Sequence, residues 1–142
     1  MNYFASLDYE KYLSDNKLRS LFKGDTATQV DTNQHSNKAL ELIDQNIPIP
    51  AEFDDLARLH YLVRNRRVLN ILEFGVGKST IVFADALKRN QKDHEEFVAN
   101  NIRREDPFRL CSVDASEHWI SHTRTILPKE PQEFVEFHFS FS

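Results

Sequence analysis

The sequence predicts an α/β fold, in which helices pack on a mostly parallel sheet in three layers. From Val68 onward the residue pattern gives the order strand, helix, helix, strand, helix, strand. The first strand, Val68–Phe74, is apolar at most positions, which is typical of a parallel strand covered on both faces. In the last, Phe134–Phe141, apolar and polar residues alternate from Val135 onward. Strands separated by helices favour parallel pairing through right-handed crossovers.

Composition bounds the class of protein. Of the 142 residues, 40% are hydrophobic and 28% are charged, which indicates a globular protein rather than a disordered one. The net charge of −4 gives no support for nucleic-acid binding, and we interpret a basic spot at Arg64, Arg66 and Arg67 as a solvated helix end. No apolar stretch is long enough to span a membrane and no signal-peptide pattern is present, so we expect a cytoplasmic location and no membrane partner.

The chain divides into an N-terminal extension, residues 1–50, and a domain, residues 51–142. Apolar residues scattered through the first 22 positions predict one or two helices laid on the domain. The stretch Gly24–Asn37 has a loop composition, Asn37–Asp44 has the pattern of a short helix, and Ile47–Pro50 is expected to be extended because each proline disfavours helix in the residue before it.

Within the domain, Ala51–Arg64 has helical spacing of its apolar residues, and His60 on that stripe is expected to be a satisfied, partly buried histidine. A second helix is predicted over Ser79–Asn90, followed by a charged insertion, Gln91–Asp106, with a solvent-facing helix of its own. The remaining elements are a strand at Phe108–Val113 that leads into Asp114, a helix at Glu117–Leu127 capped by Ser116, and the strand Phe134–Phe141.

The glycines after the first strand mark the candidate binding site. The chain has three glycines, and two of them, Gly75 and Gly77, fall between the strand and the helix that opens after Ser79 and Thr80. Glycine is used where the backbone needs a positive φ or where a ligand approaches closely. A strand, a tight glycine turn and the start of a helix commonly bind a nucleotide-like ligand in α/β domains.

Two nucleotide-binding motifs match the turn only in part. Gly77-Lys78-Ser79-Thr80 is similar to the end of a P-loop, but that motif requires a glycine where this chain has Leu72. We therefore reject the P-loop. The dinucleotide fingerprint G-x-G-x-x-G accounts for both glycines but has Thr80 in place of the third, which leaves another nucleotide-binding α/β enzyme as an alternative.

The run Ile71-Leu72-Glu73-Phe74-Gly75-Val76-Gly77, followed later by Cys111-Ser112-Val113-Asp114, resembles the first two motifs of the class I, Rossmann-like S-adenosylmethionine-dependent methyltransferases. The resemblance runs from about Ala51 to the C-terminus. The family's sheet has seven strands, and this chain supplies the first three, so the resemblance implies a cofactor-binding half that is truncated at its C-terminus.

The resemblance also implies roles for individual residues toward S-adenosylmethionine. Glu73 is expected near the cationic amino-acid end of the cofactor, directly or through water, and the two glycines close beneath it. Asp114 is expected to accept hydrogen bonds from the ribose hydroxyls, with Ala115 and Ser116 beside the adenine. The predicted cofactor-binding residues are Glu73, Phe74, Gly75, Val76, Gly77, Ser79, Asp114, Ala115 and Ser116.

Other chemistry-bearing residues predict no site. His118 and His122 lie one helical turn apart, but no third ligand is evident. We therefore expect these histidines to lie on a solvent-exposed helix face and to form no metal site. The one cysteine, Cys111, excludes an internal disulfide and is expected to be a small core residue. No general base or nucleophile can be named, and the catalytic residues stay unknown.

The sequence thus leads to a methyltransferase hypothesis with a small-molecule acceptor that it does not identify. The alternatives are a non-enzymatic Rossmann-like assembly domain and another nucleotide-binding enzyme. Because a fourth strand that would flank Val68–Phe74 is absent, that strand is expected to be an open sheet edge, through which the chain could form a homodimer.

Overall fold

The computed structural model describes residues 8–22 and 52–140. The predictions for residues 1–7, Gly24–Asn37, Asn37–Asp44 and Ile47–Pro50 lie outside these residues, as do Ala51 and Phe141 at the ends of predicted elements. The elements are α1 (Tyr9–Asp15), a 3₁₀ helix (Leu18–Phe22), α2 (Phe53–Asn65), β1 (Asn70–Phe74), α3 (Lys78–Asn101), β2 (Arg109–Asp114), α4 (Glu117–Ile126), α5 (Lys129–Gln132) and β3 (Val135–Phe139).

The three strands form one parallel sheet in the order β1-β2-β3. The register sets Leu72 opposite Cys111, and Cys111 opposite Glu136. The predicted α/β class, with a parallel Rossmann-like sheet of three strands and helices before it, is confirmed. Because parallel strands end at the same edge, β1 and β2 bring the glycine turn and Asp114 together.

The core lies on one face of this sheet. Ile71, Leu110 and Val135 occupy neighbouring positions on that face, and α2, α3 and α4 cover them. Right-handed crossovers that step across a sheet in one direction leave their helices on the same face. The fully buried residues of α3, among them Ile81 and Leu87, form the centre of the core.

The opposite face of the sheet is open among the described residues. Leu72 is 60% exposed and Phe74 is 81% exposed, although we expected helices on both sides of this strand. The described residues therefore form two layers, and the second helical layer of the predicted three-layer arrangement is not seen among them. Cys111 lies on the open face and is half-buried, so the prediction of a small core residue is wrong.

One continuous helix replaces the predicted helix and insertion. Helix α3 runs for 24 residues, Lys78–Asn101, without a break after Asn90. The chain has no proline or glycine in this range that would end the helix. The side-chain amide of Asn90 donates to the carbonyl oxygens of Val63 and Val68, so this residue is anchored in the core and the helix continues past it. Most of the charged segment, residues 91–101, is thus the largely exposed C-terminal half of the helix that follows the glycine turn.

A buried polar network fixes the N-terminal helix α1 to the domain. His60 is fully buried, with its Nδ1 2.6 Å from the Tyr12 hydroxyl and its Nε2 2.8 Å from Oδ2 of Asp85. The guanidinium of Arg89 also donates one hydrogen bond to Asp85 and another to the backbone carbonyl of Asn16. The prediction of a satisfied histidine is confirmed, but the side chain is fully rather than partly buried. Of the N-terminal segment, the described α1 and the 3₁₀ helix lie on the domain, as expected.

None of the helices within residues 8–22 and 52–140 combines the length and the apolar character that crossing a membrane requires.

Candidate functional site

The candidate site begins at the glycine turn that joins β1 to α3. Gly75 has a φ of +94°, which confirms the predicted need for glycine. Its N–H donates to the carbonyl oxygen of Val113 at 2.7 Å, so the turn rests on the end of β2. Gly77 has an extended backbone, with a φ of 167°, which any residue can adopt. A Cβ at either glycine would meet no atom of the described residues within 4 Å.

Asp114, the last residue of β2, binds the turn and the start of the next helix at once. Its Oδ2 accepts a hydrogen bond of 2.9 Å from the N–H of Val76, and its Oδ1 accepts one of 2.8 Å from the N–H of Ser116. A carboxylate offers about four acceptor positions, so two stay available to a ligand. The side chain is half-buried at the carboxyl edge of the sheet.

Glu73 occupies a more enclosed position than the sequence suggested. Only 8% of the residue is exposed, and its two carboxylate oxygens accept hydrogen bonds from the hydroxyls of Ser79, Thr80 and Ser112, at 2.7, 2.5 and 3.0 Å. Burial raises the pKa of Glu73, while these three hydroxyls act in the opposite direction. The carboxylate therefore stabilises the turn from beneath.

Thr80 connects Glu73 to the backbone of the turn. Its Oγ1 accepts a hydrogen bond of 3.1 Å from the N–H of Gly77 and donates to Glu73. Sequence reasoning missed Thr80 and Ser112 as members of the site. A threonine three residues after a helix-opening glycine is a capping signal that could have identified Thr80, whereas nothing local to Ser112 indicates its partner.

Two helix N-termini lie beside this carboxyl edge. Helix α3 begins at Lys78, directly after the turn, and α4 begins at Glu117, where the Ser116 hydroxyl accepts a hydrogen bond of 3.2 Å from the N–H of Trp119. Helix N-termini carry a partial positive charge. The edge therefore combines two carboxylates with two weakly positive helix ends, which suits a ligand that carries charges of both signs.

The other predicted residues are placed as follows. Phe74 is exposed on the open face of the sheet, away from Glu73, and Ala115 is exposed beside Asp114. On α4, His118 is exposed and His122 is half-buried, with Trp119 packed edge-on between the two rings. The residues that the fold brings together at one edge are Glu73, Gly75, Val76, Gly77, Ser79, Asp114, Ala115 and Ser116.

Comparison with known proteins gives a structural likeness but no match in sequence. No protein-family model matches the chain, and no curated protein matches its sequence. The fold is similar to the crystal structure of the O-methyltransferase TomG from Streptomyces achromogenes, involved in tomaymycin synthesis, in complex with SAM. The identity is 21% and the TM-score is 0.48, with 95% of this chain and 52% of that one covered. The chain thus spans about half the length of that enzyme.

Proposed function

We propose that this chain is the cofactor-binding part of an S-adenosylmethionine-dependent methyltransferase with a small-molecule acceptor. The observation that supports it most is the pair of backbone hydrogen bonds to Asp114, from Val76 and Ser116. They hold an acidic side chain at the end of β2 beside a glycine turn at the end of β1. In open α/β sheets, ligands bind in this position outside the carboxyl ends of the strands.

The charges of the site favour a cationic, phosphate-free cofactor. Glu73 and Asp114 are close enough for the charge of Asp114 to raise the pKa of Glu73 further. Two carboxylates at one edge repel a triphosphate but attract a sulfonium or an ammonium group. In this proposal the remaining acceptor positions of Asp114 bind ribose hydroxyls, and the open space above Gly75 and Gly77 lets the cofactor lie against the backbone.

Glu73 has an indirect role in the proposed function. Its oxygens are engaged by three hydroxyls, and it lies beneath the turn. We therefore assign Glu73 to positioning the turn, with any contact to the amino-acid end of the cofactor made through water. When bound, S-adenosylmethionine supplies an electrophilic methyl group. The part of this chain that the structure describes contributes binding and orientation, on which methyl transfer largely depends.

The direct test is calorimetric titration of the purified chain with S-adenosylhomocysteine, the demethylated product. We expect binding to one site, weakened at least about tenfold by Asp114→Ala, since a lost charge-assisted hydrogen bond is worth about 1.5–3 kcal/mol. Asp55→Ala is the matched control, because Asp55 is exposed on α2 and pairs only loosely with Arg58 at 3.7 Å. Tighter binding of NAD or ATP than of S-adenosylhomocysteine would instead favour another nucleotide-binding enzyme.

A non-enzymatic assembly domain is the second candidate. The observation that favours it is the open side of β1, where Leu72 and Phe74 are exposed at the edge of the described sheet. An exposed apolar strand edge pairs readily with another chain. A folded sample that binds none of S-adenosylhomocysteine, NAD and ATP but self-associates through β1 would support this candidate over the methyltransferase.

A further inference from the structure

The open face of the sheet carries a cluster of metal-ligating side chains. Cys111 on β2 and Glu136 on β3 are direct partners in the parallel register, and His138 follows two residues later on the same face. One ligand atom from each lies within 4.8 Å of the others, and His138 Nε2 is 3.6 Å from Oε2 of Glu136. The sequence predicted no metal site, and the histidine pair for which a site was considered, His118 and His122, lies outside this cluster.

The donor set suits zinc. Zn²⁺ is bound in proteins by cysteine sulfur, histidine nitrogen and carboxylate oxygen, whereas Mg²⁺ and Ca²⁺ select oxygen ligands. With zinc–ligand bonds of about 2.0–2.3 Å, the ligand atoms of a tetrahedral site stand roughly 3.3–3.8 Å apart. The cluster therefore has to contract by about 1.5 Å at most, which side-chain rotations of the exposed Glu136 and His138 can supply.

The surroundings allow a metal ion to enter. The cluster borders an open groove of about 400 Å³, lined among others by Leu72, Arg109, Cys111 and Glu136. The guanidinium of Arg109 donates to the backbone carbonyl of Glu133 at 2.7 Å, which holds one of its donor groups on the backbone. The half-buried Cys111 supplies a ligand fixed on the central strand, and the two exposed ligands close on it from β3.

We propose that Cys111, Glu136 and His138 form a zinc site with water as the fourth ligand. Binding releases the thiol proton of Cys111 to solvent and uses the neutral imidazole of His138. The site lies on the face of the sheet opposite Glu73 and the helices, so it is separate from the proposed cofactor site. It does not depend on the methyltransferase hypothesis.

Cobalt titration tests the site, because Co²⁺ replaces Zn²⁺ and is coloured. We expect the reduced chain to bind one Co²⁺ with a thiolate-to-cobalt charge-transfer band and the intense visible bands of tetrahedral cobalt, both removed by one equivalent of Zn²⁺. Cys111→Ser abolishes the charge-transfer band. His138→Gln and Glu136→Gln each weaken Zn²⁺ binding at least about tenfold, since even loss of a residue that only supports a ligand costs about 10–100-fold.

His118→Gln is the matched control, since it removes an exposed histidine that lies outside the cluster. It should leave the cobalt spectrum and the zinc affinity unchanged. Zinc should also raise the midpoint of thermal unfolding of the wild-type chain but not that of His138→Gln. A wild-type spectrum without a thiolate band, one metal ion per two chains, or equal zinc affinity in the wild type and His138→Gln would overturn the proposal.

Discussion

The N–H of Val76 donates a hydrogen bond of 2.9 Å to Oδ2 of Asp114, across 38 positions of sequence. This bond joins the turn after β1 to the end of β2. The other oxygen of Asp114 accepts from the N–H of Ser116, so one carboxylate orders both loops at the carboxyl edge of the sheet. In the proposed function, this one side chain therefore couples ligand binding to folding.

Asp114→Ala should lower the free energy of unfolding by about 1–3 kcal/mol, because the backbone N–H groups of Val76 and Ser116 lose a charged acceptor. Urea unfolding followed by circular dichroism measures it. Ser116→Ala is the comparison, because it removes only the side-chain cap on the N–H of Trp119, a loss of about 1 kcal/mol. A midpoint for Asp114→Ala equal to that of the wild type would show that water replaces these hydrogen bonds without loss.

The two glycines should respond differently to substitution. Gly75→Ala places a Cβ at a φ of +94° and should destabilise the fold by roughly 1–2 kcal/mol. Gly77→Ala meets neither strain nor a clash, so its stability should stay within about 0.5 kcal/mol of the wild type. It should nevertheless weaken S-adenosylhomocysteine binding. If Gly77→Ala binds with unchanged affinity, the ligand does not pass over the turn.

Glu73 should give the fold a pH dependence of its own. Burial raises its pKa in the folded state above the ordinary 4.5, so its protonated form is favoured on folding. That contribution to stability is fully present below pH 4.5 and is lost as the pH rises through the folded-state pKa. The stability of Glu73→Gln relative to the wild type should therefore increase from pH 4.5 toward pH 7. Parallel pH profiles for the two proteins would contradict this expectation.

The buried His60 should act in the opposite sense. Burial lowers its pKa below 6.5 against the effect of the Asp85 carboxylate, and burial raises the pKa of Tyr12 to about 12, so the phenol donates to a neutral imidazole. The unfolded chain binds a proton near pH 6.5 and the folded chain does not. Stability from His60 is therefore complete above pH 6.5 and is lost as the pH falls through the lower folded-state value.

Tyr12→Phe and His60→Gln separate the two parts of this network. Tyr12→Phe should cost about 0.5–1.5 kcal/mol and loosen α1, which hydrogen exchange of residues 9–15 would detect. His60→Gln should flatten the pH profile of stability below pH 6.5, the ordinary pKa of histidine, where the wild type begins to lose stability. An unchanged slope in His60→Gln would assign the acid sensitivity to other groups.

Among the described residues, the far edge of β1 pairs with no other strand, and this edge predicts self-association. A second copy related by a twofold axis would offer the same unpaired edge, and antiparallel pairing of two β1 strands would join the sheets. We expect light scattering to show a mass that rises with concentration, and Phe74→Lys to reduce that rise. Phe97→Lys is the control, because Phe97 is 61% exposed but lies on α3. A monomer at all concentrations would contradict the prediction.

Local patterns in the sequence were enough to predict the elements, because they depend on backbone preferences and on periodicity. The alternation in β3, the cap at Ser116 and the demand for glycine at position 75 are each properties of a few adjacent residues. The continuity of α3 was not predicted, because the charge-rich composition after Asn90 favours a separate insertion, although Lys78–Asn101 contains no proline or glycine.

The tertiary structure alone decided which residues meet. Ser112 reaches Glu73 across 39 positions, and Cys111 meets Glu136 and His138 only through the register of β2 and β3. The tertiary structure also decided which face of the sheet the helices cover. The covered face depends on the direction in which successive crossover connections move across the sheet. The sequence by itself determined the α/β class and the glycine turn, whereas pairing between distant strands, which no local preference encodes, determined what surrounds Glu73, Asp114 and Cys111.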